Sequence, residues 1–393
     1  MESPEFQNTW HLKRINAHKA YARGATGEGE IVGIIDASIH LENYEFAGDG
    51  KIVAANPVTT LGNKDPRFRT QYFETHGTQV ASVAVGARGG ASIPNREVQG
   101  VAYNSKLAFW EYSNSIPIEA ASIKFFNGHG AAIVNVSLSN DRSIDDYTKN
   151  EARKEWSAEL AALTQTGIDD ADKIIFVLGT GNDRHASPAL PGGLGVHFPE
   201  LRGHVLAVTG VNELGEQVYN KCGKAKAFCL AAPAKNIWTG SMQRKEQKND
   251  PTRKKPTRKQ CRRPPRPSTC INPDFFFTSD EVKSSVEEKS GTSFATPQVS
   301  GALALMRQFF SDEAGGTRSY QLGNTELVAR LLHTANRTGE YADSDKFGHG
   351  LLDLDAATKP YGMLMDSLST DPNARPFDAS AFAVSGNAFG GAM

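Results

Sequence analysis

No apolar run in the 393-residue sequence reaches the roughly 18 residues that a membrane-spanning helix requires, so no transmembrane segment is expected. Met1 to Trp10 lacks the basic-then-apolar layout of a secretory signal, and an exported protein would carry its leader outside this sequence. Charge of one sign is also missing on average: 43 Lys and Arg against 44 Asp and Glu leave a net charge of −1, a mean that points to no charged partner. Cysteine is sparse. The four cysteines fall into two close pairs, Cys222 with Cys229 and Cys261 with Cys270. Neither pair has the Cys-x-x-Cys spacing or the nearby histidines of a zinc site, so no metal is expected there. Each pair closes a short loop, as local disulfides do. Oxidised pairs, preferred here to reduced structural thiols, imply a protein secreted or held at the cell surface, although connectivity is not readable from sequence.

What is present describes a soluble globular chain: 39% hydrophobic residues, 22% charged residues and 37 glycines. The length permits one large α/β domain or two ordinary ones. Short aliphatic runs recur at Glu30 to Ile35, Lys106 to Trp110, Ile133 to Val136, Lys173 to Leu178, Val205 to Val208 and Ala227 to Ala231. Being apolar at consecutive positions, they read as strands buried on both faces. Helical patterns lie between and after them, at Gly77 to Val85, Ile118 to Asn127, Asp146 to Gln165, Thr296 to Phe310 and Glu326 to His333. Strand alternating with helix predicts an open, mostly parallel α/β sheet, whose ligands bind beyond the carboxyl ends of the strands. Two segments depart from the pattern. Met242 to Asn272 is polar, rich in Pro and strongly basic, with eleven Lys or Arg between Arg244 and Arg266 against Glu246 and Asp250, and reads as a surface loop or disordered insertion. From Thr370 the tail reads as a linker or loosely docked arm, which predicts a main domain over 1–360 and an extension over 361–393.

Three stretches carry chemistry. Ile31 to Asp36 is a buried strand ending in a carboxylate. Thr75-His76-Gly77-Thr78 sets a histidine at the head of a helix of small apolar residues. Ser290-Gly291-Thr292-Ser293-Phe294-Ala295-Thr296-Pro297 puts a serine at the mouth of another helix, with its hydroxyl at the positive end of the dipole. Taken singly, these are a turn-forming Asp, a structural or solvated His and an ordinary Ser or Thr helix cap. Together, in the order Asp, His, Ser, they resemble the catalytic motifs of the subtilisin-like serine protease family, and Gly291-Thr292-Ser293 through Ala295-Thr296-Pro297 is close to a family signature.

The resemblance covers roughly residues 10 to 360 and implies the three-layer fold of that family. It implies Asp36, His76 and Ser293 as the triad. Asn182, in Gly179-Thr180-Gly181-Asn182, would join the Ser293 N–H as oxyanion donor. It further implies that Ser137, Leu138 and Ser139 line the pocket, and that Glu111, Tyr112 and Ser113 form the opposite edge for an extended peptide. The loop from Cys222 to Cys229 resembles those of Gram-negative surface subtilases, autotransporter passengers among them. Departures are Ala37-Ser38 after Asp36, where the family has Thr or Ser and then Gly, and Gln79, where many relatives carry a second His. The chemistry calls for no cofactor, and structural calcium is left open because the calcium loops do not align.

The function so implied is a serine endopeptidase acting on protein or peptide substrates, with a catalytically silent binding protein as the alternative. A propeptide, a chaperone and a polyanion at the basic segment are candidate partners. Asp141, Asp145 and Asp146 follow the pocket segment and raise either a preference for basic side chains or a solvated acidic loop. A nucleotide-dependent oxidoreductase is disfavoured because Arg184 stands where the third glycine of the phosphate fingerprint belongs. Specific nucleic-acid binding is disfavoured because the basic segment lacks interleaved aromatics.

Overall fold

A computed structural model describes residues 4–56, 75–89, 98–112, 117–164, 174–244, 282–311 and 322–359. Seven strands form the central sheet: β1 (Ile31–Asp36), β2 (Ile52–Asn56), β3 (Lys106–Glu111), β4 (Ile133–Val136), β5 (Ile175–Gly179), β6 (Val205–Val211) and β7 (Cys229–Pro233). Their spatial order is β2-β3-β1-β4-β5-β6-β7, and every neighbouring pair is parallel.

Successive side chains of a strand point to opposite faces, and here both faces are covered. Ile34, Ile133 and Ile175 pack with Val80, Leu303 and Leu331 from the helices His76–Val85, Thr292–Phe310 and Asn324–Thr334. Their neighbours Ile35, Val134 and Phe176 pack on the other side with Phe126, Ala152 and Leu160 from helices Ala120–Gly128, Lys149–Glu155 and Ser157–Thr164. This accounts for the unbroken apolar runs of the sequence, and the three-layer α/β expectation holds.

Three expectations are corrected in detail. The single helix foreseen over Asp146 to Gln165 is instead a tight turn, Ile144–Asp146, followed by helices Lys149–Glu155 and Ser157–Thr164. The break falls at Trp156, where the backbone leaves helical geometry and the indole enters the core. The Ser293 helix begins at Thr292 rather than Thr296, so Pro297 lies inside it. A proline has no N–H to give the carbonyl four residues earlier, and that carbonyl belongs to Ser293. Finally, Met242 to Arg244 belong to β8 (Ile237–Arg244), paired antiparallel with β9 (Val282–Lys289). The rest of the basic segment, with Cys261 and Cys270, and the tail from 360 lie outside the described residues.

The outer edge of β7 is closed by the segment around Gly348–Leu352: His349 N–H donates to Cys229 O (2.8 Å), Ala231 N–H to Gly350 O (2.8 Å) and Leu352 N–H to Ala231 O (2.9 Å). Just beyond, the chain clasps its own N-terminal helices. Leu354 N–H donates to Ile15 O (2.8 Å) and the Asn16 amide to Asp353 Oδ1 (3.0 Å), while Asp355 gathers Arg23, Lys19 and Lys359. Cys222 and Cys229 are joined, Cα to Cα 5.7 Å, beneath this closing segment.

Candidate active site

The four residues singled out for chemistry lie at the carboxyl ends of β1 and β5 and at the starts of two helices. Asp36 ends β1 and is fully buried. Its Oδ1 accepts the Ala37 N–H (2.8 Å) and faces His76 Nδ1 (2.8 Å). A proton on Nδ1 donates to the carboxylate and leaves Nε2 with a lone pair directed elsewhere. Asp36 Oδ2 is buried without a hydrogen-bond partner among the described residues. The departure at Ala37 therefore leaves the contact to His76 intact; the backbone N–H of Ala37 holds one carboxylate oxygen, and its methyl group offers nothing to the other.

His76 opens its helix with a side chain 27% exposed, and its ring meets Phe294 edge-on at 5.8 Å between centroids. Because Phe294 follows Ser293, the imidazole stands beside the start of the serine helix. The small residue at 77 permits this. A Cβ there would lie 2.1 Å from Ser38 O and 3.1 Å from Asp36 Cβ, so only glycine lets the helix start come this close to the turn after β1.

Ser293 is half-buried at the second position of its helix, preceded by Gly291 at φ 147°, a conformation that favours glycine. Its hydroxyl donates to Ser137 O (3.3 Å), and Ser137 Oγ donates back to Ser293 O (2.9 Å), the carbonyl that Pro297 leaves without a helical partner. Behind this pair, the Asn135 amide donates to Ser137 Oγ (2.9 Å) and Ser300 Oγ to Asn135 Oδ1 (3.1 Å). A buried polar chain thus ties the serine helix to the end of β4. Asn182 is exposed in the turn after β5. Its Oδ1 accepts both the N–H (2.9 Å) and the hydroxyl (3.1 Å) of Thr292, which leaves the amide nitrogen as the end free to meet an incoming oxygen.

Of the residues read as peptide edges, Ser137 is buried and engaged with Ser293, Leu138 is half-buried and Ser139 exposed beyond β4. On the other side Glu111 ends β3 in register with Asp36, and Tyr112 N–H donates to Asp36 O (3.2 Å). Ser113 lies outside the described residues. Asp145, considered for basic substrates, is paired with Lys224 (2.8 Å). Burial pushes its carboxyl up, but the hydrogen bonds and charge of Lys224, with Ser187 and Ser143, outweigh this and hold it below the ordinary range. Among the described residues no group of three His, Cys, Asp or Glu could hold a metal ion. Sequence reading left Thr292 and Asn135 without a role, because a side chain that only holds another residue carries no spacing signal of its own.

Comparison with known proteins finds one family over most of the chain. The model described as "Subtilase family" matches residues 27–350. An "Extracellular serine protease" of Serratia marcescens is 24% identical over 91% of this chain, which spans 34% of that protein's length. "Subtilisin Savinase" of Lederbergia lenta is 20% identical over 89% of this chain and 98% of its own. Among solved structures, the "Prenylagaramide maturation protease PagA" superimposes with a TM-score of 0.55 at 19% identity, covering 87% of this chain and 96% of that one.

Proposed function

The chain belongs to the subtilase family, and on that premise we propose that it is a serine endopeptidase with Ser293 as nucleophile, His76 as base, Asp36 as the carboxylate orienting it and Asn182 as oxyanion donor. The observation that carries this reading is the 2.8 Å contact between His76 Nδ1 and the buried Asp36 Oδ1, made at the head of a helix that abuts the residue after Ser293. With Nδ1–H committed to the carboxylate, Nε2 takes the Ser293 proton as Oγ attacks the scissile carbonyl. The negative oxygen of the tetrahedral intermediate accepts from Asn182 Nδ2 and from the Ser293 N–H, one of the donors at the helix start that have no partner within the helix. As the C–N bond breaks, His76 passes the proton to the leaving amine, and an acyl-enzyme remains on Oγ. Water then repeats the cycle through the same base. Chain groups supply every step, so the reaction needs no cofactor.

Substrates are protein or peptide segments, read as adding in extended form between 137–139 and 111–113 through main-chain hydrogen bonds. The ion pair of Asp145 with Lys224 speaks against Asp145 selecting basic side chains. The buried Cys222–Cys229 bond and the extracellular Serratia relative support a site of action outside the cytoplasm. Within this reading residues 1–360 form the peptidase unit, 361–393 are an extension, and the basic stretch 244–266 is a polyanion contact supported by its charge alone.

A fluorophosphonate probe and a peptide-library digest test the assignment. Wild type is expected to label at Ser293 and cleave, and Ser293→Ala to do neither. Asn182→Leu is expected to keep substrate binding and lose about two to three decades of kcat, a magnitude measured on the corresponding donor of a subtilisin. An unlabelled Ser293 in folded wild type would indicate the catalytically silent alternative.

A further inference from the structure

One fully buried polar residue outside the triad is committed to the loop that bears Asn182. Asn220, in the connection from β6 to β7, is 0% exposed and uses every polar group it has. Its N–H donates to Gly181 O (3.1 Å) and its amide nitrogen to Thr180 O (2.8 Å). Its amide oxygen accepts the His185 N–H (2.9 Å), and its carbonyl accepts the hydroxyls of Thr180 (3.0 Å) and Thr209 (2.6 Å). Thr180, Gly181 and His185 bracket Asn182 on both sides. Gly181 adopts φ 99°, and a Cβ there would come within 2.6 Å of the Asn220 amide nitrogen, so loop and asparagine are in direct contact. Lys221 N–H adds a further tie to His185 O (2.9 Å), one residue before the bonded Cys222.

The loop needs such an anchor. Asn182, Asp183 and Arg184 are all exposed, so no apolar burial fixes their position, and the Thr292 contacts orient only the Asn182 amide. We propose that Asn220 is a positioning residue for the oxyanion donor: it holds the backbone of the 180–185 loop so that the Asn182 amide nitrogen meets the developing oxyanion. This rests on the reading of Asn182 as that donor. Because the oxyanion bond exists only in the transition state, a displaced donor lowers kcat while leaving KM nearly unchanged. A shift of about 1 Å at such a site costs about a hundredfold.

The test is a double-mutant cycle in the full chain: wild type, Asn182→Leu, Asn220→Ala and the double variant, each measured for kcat and KM on one peptide substrate, for probe labelling at Ser293 and for thermal midpoint. Asn220→Ala is expected to lower kcat by about ten- to a hundredfold at little-changed KM, and to have under about a twofold effect once Asn182 is Leu. An equal factor in both backgrounds would overturn the inference in favour of a general structural role; unchanged kcat would overturn it outright. Should Asn220→Ala not fold, Thr209→Val serves instead: it removes the hydroxyl that donates to the Asn220 carbonyl (2.6 Å), with the loss besides of only a long contact from the Gln217 amide (3.4 Å). Its smaller loss of kcat must likewise vanish in the Asn182→Leu background, and persistence there counts against the proposal. If Asn182→Leu itself leaves kcat unchanged, or wild type neither labels nor cleaves, the functional reading falls and this inference with it.

Discussion

A methyl group on residue 77 would sit 2.1 Å from the Ser38 carbonyl oxygen, a distance no packing tolerates, and the only relief is for the helix start to move away from the turn after β1. His76 would move with it. The 2.8 Å contact to Asp36 depends on that approach, so Gly77→Ala is expected to cut kcat/KM by about a hundredfold or more and to weaken fluorophosphonate labelling at Ser293. Side-by-side labelling of Gly77→Ala and wild type at equal folded concentration checks this, and wild-type labelling in the variant would show that the approach is not needed. Glycine here is a consequence of geometry, and it explains why the residue after the histidine belongs to the motif at all.

At the scale of elements, the central strands, the His76 and Ser293 helices and the positions of the site residues were legible in the sequence because apolar periodicity and extended motifs carried them. β2, β8 and β9 were not. β2 is an edge strand only partly buried, and β9, Val-Lys-Ser-Ser-Val-Glu-Glu-Lys, has almost no apolar pattern. β8 is interrupted by Gly240, where a Cβ would lie 2.5 Å from Glu45 Cγ, so its middle is set by close packing rather than by hydrophobicity. The true start of the Ser293 helix was hidden by Pro297, which reads as an early helical turn but lies deeper. The closeness of Cys222 and Cys229 in sequence suggested a local loop without fixing the connectivity; the bond they form, across a separation of 7, closes a short loop at the last strand of the sheet. Chain-entropy reasoning gives such a loop about 2 to 3 kcal/mol. Replacing both cysteines by alanine is expected to lower stability by that amount in a denaturant titration on the Ser293→Ala background, and an unchanged midpoint would show that the bond adds nothing.

At the scale of the whole molecule, the clasp between the N-terminal helices and the segment 353–359 spans the greatest sequence separation among the described residues. Its hub is Asp355. The Arg23 guanidinium, against an opposing effect of burial and with help from Lys359 and Lys19, lowers its carboxyl to about 2. A depressed carboxylate stabilises the fold fully above its unfolded pKa near about 4 and loses that contribution as pH falls toward about 2. Asp355→Asn is therefore expected to melt a few degrees below its parent at pH 7, with the gap closing as the pH drops from 4 to 2. Thermal scans across that range on a Ser293→Ala background check the sign, and a gap that widened in acid would contradict it. The same clasp sets an order of events. A chain that emerges from a ribosome or a membrane pore N-terminus first has released Asp36, His76, Asn182 and Ser293 before it releases Gly348–Leu354, the stretch that seals β7 and grips Ile15. Contacts so distant in sequence form late, which gives a nascent peptidase an interval in which its reactive groups have emerged but its fold is not yet closed around them.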